Sequence, residues 1–177
     1  MGRIKAPEPV LLFIGILYSD AAIFDRSKPI LEKNFGNILL ESPSSAWDYS
    51  FYYKDEIGWP LFRQFTFFKK LIDPGILTEI KLKTIEIEET LSSEGKRCLN
   101  IDPGYLTLSK IVLASTKNYA HRIYVGKGIY SEVTLIYKDG IYKPYLFTYR
   151  DYQDKTCIDV FMNARALFKK ILSYRIL

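Results

Sequence analysis

Ile72-Asp73-Pro74-Gly75-Ile76-Leu77-Thr78 recurs almost letter for letter as Ile101-Asp102-Pro103-Gly104-Tyr105-Leu106-Thr107. Each copy follows a strand-like run and precedes an apolar periodic one. Aspartate can cap the free amides of a helix's first turn, and proline fits the first helical position because its missing N–H has no partner there. Both copies therefore read as strand-to-helix junctions, with Asp73 and Asp102 as caps. One opens a helix from Pro74 to about Leu91, with Leu77, Ile80, Ile87 and Leu91 inward. The other opens a helix from Pro103 to about Thr116, on which Leu108, Ile111, Val112 and Ser115 share a face. The flanking segments differ too much to indicate a duplication.

Working outward, Val10 to Tyr18 (VLLFIGILY) is apolar on both faces and reads as a central strand, too short to span a bilayer. Asp20 can cap a helix from Ala21 to about Phe35, which Pro29 should kink or divide and Gly36 ends. Ile38 to Glu41 and Phe62 to Leu71 are further strands. Between them, Ser42 to Pro60 is irregular and rich in aromatics, the composition of a packed flap. Arg97 to Ile101 is a fourth strand. From His121 the pattern becomes an antiparallel meander, His121–Val125, Ile129–Tyr137 and Ile141–Phe147, with turns at Gly126-Lys127-Gly128 and Asp139-Gly140. A closing helix spans about Lys155 to Tyr174, with Val160, Ala164, Leu167, Phe168 and Ile171 inward. The expected fold is a single α+β domain over residues 1–177. Its βαββαβ core is ferredoxin-like, extended by a helix, a three-strand meander and a C-terminal helix.

A chain of 177 residues can bury a core without staples, and 48% hydrophobic with 25% charged residues excludes wholesale disorder. The 14 Tyr and 11 Phe require many half-buried or interfacial rings. A net charge of +5 permits an anionic partner such as a nucleotide, a nucleic acid or a phosphorylated metabolite. Two cysteines, Cys98 and Cys157, and one histidine make neither a disulfide framework nor a zinc or His-rich metal site, and no motif indicates a cofactor. No cleavable leader or membrane span is evident, so a cytoplasmic protein with reduced thiols is expected. Glutamine occurs only at positions 64 and 153 amid abundant Lys, Glu and Ile, a bias that suits a thermophile.

The chain resembles, over nearly its whole length, a bacterial family of uncharacterised proteins, the domain of unknown function 4416. The match is carried by Pro9-Val10, by Phe13 through Asp20, by Asp102-Pro103-Gly104-Tyr105-Leu106-Thr107 through His121-Arg122-Ile123-Tyr124, by Gly126-Lys127-Gly128-Ile129-Tyr130 and by Glu132-Val133-Thr134-Leu135. Members often carry the loose label "GTP-binding protein". No GxxxxGK[ST] loop follows a strand here, so any such binding would use another route.

If Val125 pairs with Ile129, alternation places Arg122 opposite Glu132 and Tyr124 opposite Tyr130. His121, Ile123, Val125, Ser131, Val133, Leu135, Tyr142 and Leu146 then share a mainly aliphatic face. Arg122, Tyr124, Tyr130, Glu132, Thr134, Lys143 and Tyr145 share the other. With Lys117 and Lys127, that second face reads as a platform for a nucleotide or RNA, rings stacking on bases and cations meeting phosphates. Ordinary cross-strand pairing accounts for the same residues. An enzyme would use His121 as acid or base, assisted by Glu132 or Asp48. A third reading makes the Tyr-rich face a homodimer interface. Asp48, Tyr49, Tyr52 and Tyr53 could form a lid, and Glu86, Glu88 and Glu89 with Lys81 and Lys83 read as a solvated helix face.

Overall fold

A computed structural model describes residues 2–175. Its elements are β1 (Val10–Tyr18), α1 (Ala21–Phe35), β2 (Ile38–Glu41), β3 (Ser45–Trp47), β4 (Leu61–Ile72), α2 (Leu77–Thr90), β5 (Leu99–Leu106), β6 (Lys110–Ser115), β7 (Ile123–Gly126), β8 (Ile129–Lys138), β9 (Ile141–Pro144), α3 (Arg150–Gln153) and α4 (Lys155–Arg175). The strands form one sheet in the order β2-β4-β1-β5-β6-β8-β7, with β3 added to β4 and β9 to β8, and every pairing antiparallel.

β1 is buried at all nine positions because helices cover both faces of the sheet. Val10, Leu12, Ile14, Ile16 and Tyr18 pack with Phe24, Leu31 and Phe35 of α1 and Ile80 and Ile87 of α2. Leu11 and Phe13 face the opposite way, onto Phe161, Ala164 and Phe168 of α4. Each such fully buried side chain is worth roughly 1.5–3 kcal/mol. Asp20 caps α1 through a 2.8 Å bond to the Ala22 amide, Gly36 ends it at φ 93°, and Pro29 does not divide it. The inner stripe of α4 centres on Phe161 rather than on the expected Val160.

The first Asp-Pro-Gly copy behaves as a junction. Asp73 Oδ1 accepts from the Gly75 amide at 2.7 Å, and a single 3-10 turn over Pro74–Ile76 leads into α2. The second copy does not. β5 continues straight through Asp102, Pro103 and Gly104, and the expected helix from Pro103 to Thr116 is instead the β5–β6 hairpin. Thr107 closes its turn by accepting from the amides of Ser109 and Lys110. Ile111 to Ala114 is buried on both faces, and an apolar run that short suits a doubly covered strand as well as a helix. Gly104 has a packing reason: a Cβ there would lie 2.5 Å from both Phe13 Cζ and the Val112 carbonyl oxygen. Pro103 sits where its missing N–H is turned away from β1, so the ladder loses no donor.

The Ser42–Pro60 stretch packs as a flap, with a short strand, β3, that the sequence reading missed. Trp47 and Ile57 are buried against Leu17 and Leu61, with Tyr49 and Tyr53 packed alongside.

Candidate functional site

β6 follows β5 only from Gly104 to Leu106 and then diverges, leaving the first half of β5 without a strand on that side. Helix α2 supplies the missing partners: the Ile101 amide donates to the Glu88 carboxylate, and Lys81 Nζ donates to the Ile101 carbonyl at 2.8 Å. Lys81, Thr84 and Glu88 follow Leu77 at helical spacing and are all buried, so Lys81 and Glu88 are not the solvated face expected of them. A cleft of 710 Å³ opens where the sheet splits, walled by β5, α2, the end of β6, the flap and the α3 segment.

Charge is concentrated on its floor. Arg63, only 7% exposed, is held by Asp151 at 3.1 Å and lies 3.9 Å from Asp102. Burial opposes its charge, but Asp151, Tyr152 and Asp102 outweigh that and keep the guanidinium ionised. Asp102 also takes Lys81 Nζ at 3.2 Å and Asn100 Nδ2 at 2.6 Å. Burial pushes its carboxyl pKa up, yet Lys81 and Arg63 prevail and hold it below the ordinary value. Burial raises that of Glu88. Arg97 forks onto both Glu56 oxygens at 2.6 and 2.7 Å. Arg63 Nε and Nη1 and the Tyr152 hydroxyl have no hydrogen-bond partner among the described residues. Gly15 admits them, since a Cβ there would stand 3.0 Å from Arg63 Nη1 and 3.1 Å from the Tyr152 oxygen.

The rim is aromatic and cationic. Trp47, Tyr49, Tyr52, Tyr53 and Tyr149 line it. Lys117 Nζ stands 4.4 Å from the Tyr52 ring centre and, like the exposed Arg150, has no acidic partner among the described residues.

Of the residues singled out in the sequence, Lys117 and Arg122 reach this cleft. Arg122 is buried there, its Nε bonded to Glu132 at 2.7 Å and its Nη1 to Ser115 at 2.7 Å. His121, Glu132 and Tyr145 line a separate recess, where His121 Nε2 meets Glu132 at 3.0 Å. Tyr124 does pair with Tyr130, their rings 5.3 Å apart on the hairpin. Lys127 is tied to Glu79, and Lys143 to Asp139. The expected platform is not one surface, because Thr134 is an extra residue in β8, between the pairs Ile111–Leu135 and Val112–Val133. That bulge reverses the alternation, so Lys143 lies on the opposite face from Glu132 and Tyr130.

Sequence reasoning missed Arg63, Lys81, Asp102 and Tyr152 as site residues. Signals existed for two of them. Arg63 shares the phase of Phe65 and Phe67 in an otherwise apolar stripe, and Lys81 interrupts the inner face that starts at Leu77.

No helix of the described residues is long and apolar enough to cross a membrane. No curated protein and no solved structure matches the chain. A family model described as Domain of unknown function (DUF4416) matches residues 8–168, so the chain belongs to that family.

Proposed function

We propose that the cleft binds a small phosphate-bearing ligand, with a nucleotide preferred over an RNA strand. The observation that carries this is the buried Arg63, ionised yet with two nitrogens unpartnered, beneath a rim that adds the unpaired cations Lys117 and Arg150. Unmade hydrogen bonds on a buried charged group cost about 1–3 kcal/mol each, a cost that ligand oxygens or bridging water would relieve. The rings of Trp47, Tyr49, Tyr52 and Tyr149 offer stacking surface for a base, worth ~1–3 kcal/mol per base. The 710 Å³ volume suits a mononucleotide rather than a polymer. Beneath the site, the core order β2-β4-β1-β5, with α1 and α2 as crossovers, supports a ferredoxin-like reading of that half of the sheet.

Thermal unfolding with GTP, ATP and pyrophosphate tests the proposal. A ligand at 100 times its Kd adds about 2.7 kcal/mol of stability. The combined Lys117→Ala, Arg150→Ala variant, whose changes are at the rim and spare the core, should weaken binding and flatten its salt dependence. Equal stabilisation of variant and parent, or none with any phosphate compound, rejects the proposal. Stabilisation by oligoribonucleotides alone would reassign the ligand to RNA.

A further inference from the structure

The buried Glu132 serves two neighbours. Its Oε2 takes Arg122 Nε at 2.7 Å on the cleft side and His121 Nε2 at 3.0 Å on the side of the separate recess. A carboxylate only accepts, so Nε2 carries the ring hydrogen, and in the neutral imidazole Nδ1 is left as a lone-pair acceptor. No bond to Nδ1 is formed among the described residues. The ring is also fixed in orientation: Phe147 stacks on it at 4.8 Å and 2° between planes, and Tyr119 at 6.1 Å and 24°.

The recess it lines has a volume of 450 Å³ and walls of Val112, Ile123, Val125, Val133, Leu146 and Phe147. Ile123 is 74% and Leu146 88% exposed, so apolar surface gathers here without packing against the rest of the molecule. Ligand pockets of this size are characteristically apolar, with one or two placed polar groups that fix orientation. The Thr134 bulge contributes by turning Glu132 and Thr134 to the same side, where Thr134 Oγ1 donates to Glu132 Oε1 at 3.1 Å. Glu132 is thereby held on both oxygens, and its hold on His121 is rigid.

We propose that this recess is a second ligand site, separate from the phosphate cleft. It takes a small aromatic molecule bearing one O–H or N–H donor, with His121 Nδ1 as the acceptor. The acceptor is what selects this chemistry: an apolar body fills the walls, and a donor satisfies the one polar atom that the protein leaves open.

Phenol is the probe, and anisole, which lacks the donor, is its control. His121 is the only histidine, so its Cε1 proton is a single assignable NMR signal. Phenol should move that signal saturably, with anisole binding about five-fold more weakly, the worth of one net hydrogen bond. His121→Asn should abolish the preference, and Phe147→Ala should weaken both probes. The Lys117→Ala, Arg150→Ala variant should bind phenol as the parent does, which separates this site from the cleft. Equal affinity for the two probes on the unmodified protein overturns the proposal. So does a His121 signal that phenol leaves unmoved, or a preference that survives His121→Asn.

Discussion

The two Asp-Pro-Gly segments share their letters and part company in structure. Around Asp73 the chain is exposed and the aspartate turns inward on its own backbone, capping a helix within two residues. Around Asp102 the same letters lie between β1 and the sheet's split, and the aspartate answers Lys81 and Arg63 from other elements. Local preference decides the first. Long-range packing decides the second, since a strand there joins two covered faces and leaves an acid where two buried cations need one.

Four substitutions sharpen that contrast, each read by urea unfolding. Asp102→Ala should be the most damaging, at about 3 kcal/mol, because it strands Lys81 and Arg63. Gly104→Ala should cost about 2 kcal/mol, since its Cβ meets a backbone oxygen that cannot step aside. Asp73→Ala should lose only the cap, about 1 kcal/mol. Gly75→Ala should change stability by roughly 0.5 kcal/mol or less, because its Cβ would meet nothing closer than Asp73 Oδ1 at 3.0 Å. Equal losses within each pair would mean that the two segments are alike after all.

Acid unfolding separates the aspartates further. The folded-state pKa of Asp102 is depressed, so its contribution is present above its unfolded value of about 3.9 and fades as pH falls through the folded one. Asp102→Asn should therefore flatten the loss of stability below about pH 4, whereas Asp73→Asn should leave that limb close to the parent's. A parent-like acid limb in Asp102→Asn would show that its ion pairs contribute nothing.

The same distinction explains what the sequence discloses. β1, α1, β2 and the Asp139-Gly140 hairpin are legible because their signals are local: an unbroken apolar run, an Asp cap with a Gly stop, and a two-residue turn. The Tyr124–Tyr130 and Arg122–Glu132 pairings follow from hairpin register. The β5–β6 hairpin is not legible, because Tyr105 to Ser115 suits either period. The bulge at Thr134 leaves no mark in the alternation, yet it moves Lys143 to the other face. The cleft is a product of the sheet splitting beyond Gly104, which no spacing encodes. Its residues come from β4, α2, β5, β6 and α3.

The most direct test of the account is a structure determined with GTP or pyrophosphate bound. Phosphate oxygens should lie in the cleft, within hydrogen-bond reach of Arg63 or Tyr152 and close to Lys117 and Arg150. An empty cleft, with the ligand instead on the Tyr124–Tyr130 hairpin, would contradict it.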